Sequence, residues 1–218
     1  MLPAPDTPQD QLYVWRVVFP IARAIALFLV PVRIEGIERI PRGAALIVAN
    51  HASWKDPPLL TFALDRSVRF FAKEELFRIP ILGGALRLAG NFGVRRGEAD
   101  RRALVTALRV LAAGLPLGFF PEGHRSESGA LIRARPGVAM IAKKADAPIV
   151  PVAIVGSKRA RLGAFWRRDV TFSIGEPFAP SELSGLDDQA AADAIMRRIA
   201  ALLPSDMHGV YRDDPTRV

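Results

Sequence analysis

The chain has 218 residues, half of them apolar and 24% charged, with a net charge of +8 and no cysteine. This composition suits one globular domain with a substantial core and excludes disorder as a global description. The absence of cysteine excludes disulfide scaffolds, zinc–thiolate sites and thiol nucleophiles. Arginine outnumbers lysine 25 to 5, and so basic a chain implies an anionic partner: nucleic acid, an anionic membrane face or a phosphorylated substrate.

Residues 1–11 are polar and proline-rich without a basic cluster, and are not expected to open a secretory signal. From 12 to 32 the chain is almost wholly apolar, but Arg16, Pro20 and Arg23 interrupt it. Its longest charge-free run, 24–32, is far shorter than the roughly 20 residues of a spanning helix. Gln9, Arg16 and Arg23 recur every seven residues, which places them on one helical face. Pro20 either kinks this helix or starts a second one. The segment reads as one or two short helices lying in a membrane interface. Arg16 and Arg23 would reach headgroups, with Tyr13 and Trp15 at the same level. The other reading is an ordinary helix packed on the domain. Residues 1–32 thus form an apolar, membrane-associating helical segment ahead of a domain at 33–218.

Beyond residue 32 the pattern alternates. Apolar runs predict strands at 44–49, 68–72, 117–120, 149–155 and 170–174, and a short one ending near Val94. Asp56-Pro57 predicts the start of a helix to about residue 64. Further helices are predicted over 81–89, over 101–113 up to Gly114, over 137–145, and over 186–203 up to Pro204. Residues 121–136 are polar and irregular. Strands alternating with helices give an α/β fold, a mostly parallel or mixed central sheet flanked by helices.

Polar groups cluster after the apolar strands, where ligands gather in open α/β sheets. The first cluster is Asn50-His51-Ala52-Ser53-Trp54-Lys55-Asp56. Asp56 can accept the Nδ1 proton of His51 and leave Nε2 to take a proton from a hydroxyl. Equally, Asp56 can cap the helix beside a surface histidine. The second is Phe120-Pro121-Glu122-Gly123-His124-Arg125-Ser126. Arg125 suits bidentate contact with phosphate, and Gly123 lets backbone approach a ligand. The same residues also make a polar turn with an internal Glu–Arg pair. Two further stretches are Val94-Arg95-Arg96 and Val150-Pro151-Val152. A proline within so apolar a strand marks an edge, a bulge or the wall of a groove.

In wording and order these four stretches resemble the glycerolipid acyltransferase family. Asn50, His51, Ser53 and Asp56 match its N-H-x-S-x-x-D block. Val94 to Arg96 match a block ending in Arg, 120–126 match F-P-E-G-x-R-S, and 150–152 match a Val-Pro-Val strand. The likeness covers 44–156, about half the chain. His124 departs from a slot more often held by threonine, and Arg135 stands where a lysine is more typical, which bears on substrate preference.

The resemblance implies transfer of a fatty acyl group to the free hydroxyl of 1-acylglycerol 3-phosphate, giving phosphatidic acid. The donor would be an acyl thioester, acyl-CoA or acyl-acyl carrier protein. His51, polarised by Asp56, would be the general base. Arg96 and Arg125 would hold the substrate phosphate together with Gly123, with Lys73, Arg95 and Arg135 as lesser candidates. Glu122 would orient Arg125 or the acceptor hydroxyl, and Asn50, Ser53, Ser126 and Pro151 would support the site. No G-x-S-x-G elbow occurs in the sequence, so direct attack by the alcohol is expected. No bound cofactor and no metal are expected. The chain would work on lysophosphatidic acid or a similar lysolipid at an anionic membrane surface, on the cytoplasmic face of the membrane. A second membrane contact is expected at 158–168, where five basic residues and two aromatics fall within eleven positions. Other acceptors, such as glycerol 3-phosphate or another lysolipid, fit the same blocks. A silent lipid-binding relative would not need His51 and Asp56 intact. A nucleic-acid-binding protein would carry a recognised module, and none is evident.

Overall fold

The computed structural model describes residues 19–64, 66, 68–94, 101–160 and 170–212. The expectations for Tyr13, Trp15, Arg16, Arg95, Arg96 and residues 161–168 lie outside the described residues. In chain order, helix α1 (Phe19–Leu29) is followed by strands β1 (Val32–Glu35) and β2 (Ala45–Ala49), then α2 (Asp56–Leu64) and β3 (Arg69–Lys73). Next come α3 (Leu82–Leu88), β4 (Phe92–Val94), α4 (Arg101–Ala112), β5 (Pro116–Phe119) and α5 (Gly137–Lys144). The last elements are β6 (Ile149–Val155), β7 (Val170–Ile174) and α6 (Asp188–Ala200). The helix expected over 186–203 is shorter because Asp187 caps it, its side chain accepting from Ala190 N at 2.7 Å.

The strands form one mixed sheet, in the order β1-β7-β6-β2-β5-β3-β4. Only the β6–β7 pair is antiparallel. All five residues of β2 are buried, because helices cover both faces of the sheet. Leu46 and Val48 join the core with α4, α5 and α6, while Ala45, Ile47 and Ala49 join the core with α2. From β2 the chain passes to α2 on one face, whereas from β5 it passes to α5 on the other. These two strands are neighbours, with Leu46 opposite Leu117. Their carboxyl ends therefore flank a topological switch point, where a crevice opens in such sheets.

Pro20 is the second described residue of α1, and what precedes Phe19 lies outside the described residues. The Phe19 ring lies 5.4 Å from that of Phe62, and Arg23 Nε donates to Phe62 O at 2.8 Å. Arg23 thus ties α1 to α2 through its Nε. The opposite stripe of Ile21, Ile25 and Phe28 is exposed at 58%, 55% and 67%. No described helix is long and apolar enough to cross a membrane.

Pro151 corrects another expectation, because β6 lies between β7 and β2 and is not an edge strand. Its carbonyl accepts from Gly175 N at 2.9 Å, so its nitrogen also faces the end of β7 and not β2. The proline removes no hydrogen bond from the β2–β6 ladder, and it is buried.

Gly118 on β5 makes room for the Phe70 ring, its partner across the β3–β5 pairing. A Cβ there would lie 2.1 Å from Phe70 Cε1. Phe70 is 3% exposed and cannot swing away. Gly118→Ala should therefore lower the unfolding free energy by about 1–3 kcal/mol, measured by chemical denaturation.

Candidate active site

The site starts where β2 stops pairing through its backbone. Asn50 Oδ1 accepts from Ile154 N at 2.7 Å and its Nδ2 donates to Ile154 O at 2.9 Å. The buried side chain thus replaces one rung of the ladder and lets the main chain turn off the sheet.

Asp56 is the first residue of α2 and fully buried. Its carboxylate turns back into the preceding loop instead of capping the helix. Oδ2 accepts from Ala52 N at 2.8 Å, from Ser53 N at 2.7 Å and from His51 Nδ1 at 2.9 Å. A carboxylate partner places the imidazole proton on Nδ1 and leaves the Nε2 lone pair available. Among the described residues nothing hydrogen-bonds Nε2. Ser53 shapes this turn: its carbonyl accepts from Asp56 N at 3.1 Å and its Oγ from Lys55 N at 3.3 Å. Trp54, next in the loop, is 65% exposed.

The loop after β5 grips His51 from the other side. The Phe120 ring stacks on the imidazole with centroids 4.2 Å apart and planes at 21°. Glu122 is 1% exposed, and its Oε2 accepts from His51 N at 2.7 Å. Its Oε1 accepts from Ile132 N at 3.2 Å. Ser126 N donates to His51 O at 2.8 Å, so both backbone polar groups of His51 are held by this loop. The Ser126 hydroxyl donates to Ala130 O at 2.6 Å and accepts from Gly129 N at 3.1 Å, which closes the loop on itself. Burial pushes the Glu122 carboxyl up to about 7, and the nearby Asp56 charge adds to this, while the two backbone N–H groups oppose it.

Glu122 therefore does not pair with Arg125, as the sequence suggested. Arg125 points outward and is exposed, while the carboxylate points inward. Gly123 has φ +74°, and a Cβ there would lie 2.7 Å from Arg135 Cδ. Its close approach is to this protein's own Arg135, whose backbone N donates to Pro121 O at 2.8 Å. His124 is exposed, with Nδ1 3.3 Å from Arg125 O. Lys73 is also exposed, 3.9 Å from Glu75. His208 is a core residue, its Nε2 donating to Leu203 O at 3.0 Å. Sequence reasoning missed the part played by Phe120, although a ring directly after a strand and two residues before a glutamate was the available signal.

A model of the Acyltransferase family matches residues 31–155. The chain is 31% identical over 167 residues to the chloroplastic 1-acyl-sn-glycerol-3-phosphate acyltransferase of Brassica napus, covering 72% of this chain and 48% of that one. It is 31% identical over 191 residues to the 1-acyl-sn-glycerol-3-phosphate acyltransferase of Chlamydomonas reinhardtii, covering 82% and 54%. This chain spans about half the length of these curated relatives. The crystal structure of the 1-acyl-sn-glycerophosphate acyltransferase PlsC from Thermotoga maritima matches with a TM-score of 0.71 at 28% identity, covering 91% of this chain and 82% of that one. The family match takes in both loops that hold His51, and the chain belongs to the acyltransferase family.

Proposed function

We propose that this chain is an O-acyltransferase that makes phosphatidic acid from 1-acylglycerol 3-phosphate. The donor is an acyl thioester, acyl-CoA or acyl-acyl carrier protein, and the reaction runs at the cytoplasmic face of a membrane. The observation that carries the reading is the buried Asp56 carboxylate on His51 Nδ1, with Nε2 left open at a sheet switch point. Relatives named for this reaction support the choice of acceptor.

An alcohol is far too weak an acid to ionise near neutrality, so its proton must leave as the carbon–oxygen bond forms. His51 Nε2 takes that proton while the hydroxyl oxygen attacks the thioester carbonyl. Asp56 stabilises the imidazolium that results. The tetrahedral intermediate then expels the thiolate, which recovers the proton from His51. No acyl-enzyme is needed. Glu122 acts one step back, holding the His51 backbone so that Nε2 meets the hydroxyl. The acceptor phosphate is assigned to Arg125, adjacent to the Ser126–His51 contact and exposed, with Arg135, which lies against Gly123, as a second candidate. Arg96, Arg95 and Lys73 remain further candidates for that role.

His51→Ala should cut turnover by ~10²–10⁴ with the thermal midpoint little changed. Retained turnover would place the base elsewhere. Arg125→Ala should raise the acceptor KM by about 10- to 100-fold, the loss of one charge-assisted hydrogen bond. Assays on lysophosphatidic acid beside glycerol 3-phosphate and a non-phosphorylated lysolipid check both the residue and the acceptor. Glu122 supplies a pH test. Its folded carboxyl sits at about 7 against an ordinary 4.5. The folded state thus holds this proton more tightly than the unfolded chain. The stability it contributes is full below the ordinary value and is lost as pH rises through the folded one. Glu122→Gln has no such proton. The stability of wild type minus that of the variant should fall by on the order of 3 kcal/mol as pH rises across that window. A difference that stays flat with pH would show that the carboxyl is not raised.

A further inference from the structure

The turn between β3 and α3 displays side chains in a way that folding alone does not explain. Ile81 has φ +66° and ψ −58°, and Leu82 N donates to Pro80 O at 2.7 Å. Residues 80–82 therefore form a γ-turn of the rare kind with positive central φ. That conformation is strained for any side chain and most of all for a β-branched one. Yet Ile81 is 91% exposed, so no packing offsets the strain. Ile79, Leu82 and Leu88 around it are exposed at 46%, 41% and 44%. The result is a convex apolar corner.

Basic residues border it. Arg78 is exposed, 4.0 Å from Glu74. Arg87 is exposed, donates to Phe77 O at 2.7 Å and lies 5.8 Å over the Phe77 ring. With Lys73 and Glu75, 3.9 Å apart, the rim carries three cations and two anions. The corner follows the carboxyl end of β3. The parallel strands β2 and β5 deliver His51 and Glu122 at that same end of the sheet.

We propose that Ile79, Ile81, Leu82 and Leu88 insert into the hydrocarbon boundary of an anionic bilayer, with Arg78 and Arg87 at the headgroups. A convex apolar prominence needs no complementary pocket when the partner is a fluid apolar layer, and its cationic excess suits anionic lipid. The insertion turns the His51 end of the sheet toward the lipid. The purpose of the contact rests on the function proposed above, but its test is separate.

The full chain is floated with vesicles of phosphatidylcholine and phosphatidylglycerol in equal parts. Ile81→Ser combined with Leu82→Ser should weaken vesicle partition at least ~10-fold, with turnover of a short-chain, water-soluble lysolipid acceptor unchanged. Ile81→Gly guards against misfolding, because glycine adopts positive φ freely. It should keep or raise the thermal midpoint while weakening partition several-fold. Partition equal to wild type in both variants overturns the proposal. So does a change in self-association without a change in partition, which would make the corner an interface between copies. Weakened partition in a chain inactive on lysophosphatidic acid would uphold the membrane contact and overturn the acceptor instead.

Discussion

Glu122 joins two loops from inside the protein, and the placement of His51 depends on it. A carboxylate taken out of water costs several kcal/mol unless charge-assisted hydrogen bonds offset the loss. Two backbone N–H groups, from His51 and Ile132, offset part of it. The remainder is visible in a carboxyl pushed up to about 7. Stability alone would favour a neutral side chain at this position. What the carboxylate secures is geometry: it fixes the His51 amide from the β5 side, Ser126 fixes the carbonyl, and Asp56 fixes the ring from the α2 side. Backbone and ring are thus held from two different segments of the chain, and neither loop alone determines where Nε2 points.

The same loop pair is braced by aromatic stacking. Phe70 lies 5.6 Å from Phe120 at 15°, and Phe120 lies 4.2 Å from His51 at 21°. The three rings form a column, and it exists only because β5 carries glycine opposite Phe70. A general base must sit within a few tenths of an ångström of its productive position, and such support is how a rigid scaffold achieves it. The fold supplies the column at a switch point, so the crevice and the packing that defines it share one origin.

Every strand but β1 and most helices were legible because burial on both faces writes continuous apolar runs, as in β2 and β6, and because Asp56-Pro57 marks a helix start, whereas the four-residue β1, half of it exposed, writes no such run. The contact between His51 and Asp56 was legible for a related reason, since five residues of loop bring them together. What failed was long-range pairing. Glu122 has Arg125 as its obvious neighbour in sequence, but its partner His51 is 71 residues away. Pro151 looked like an edge residue because sequence records a strand and not which neighbour each N–H faces. Ile81 opens a stretch that reads as helical or turn-rich, and only the structure shows its positive φ and its exposure.

Two residues thus violate the usual rules of burial, and in opposite senses. Glu122 is a charge-bearing group inside the protein, and Ile81 is an apolar side chain in water on a strained backbone. Locally inconsistent positions in an otherwise consistent fold tend to be functional. They are also mechanically connected. β3 leads through the short 3-10 helix Glu74–Arg78 to the apolar corner, pairs with β4 and β5, and contributes Phe70 to the ring column under His51. An amphipathic substrate needs both environments at once, a polar grip on its head and an apolar medium for its chain. In the membrane contact proposed above, β3 would link the lipid-facing corner to the ring column beside His51. The hydroxyl of an embedded acceptor would then be presented to His51 from the lipid side of the same sheet end.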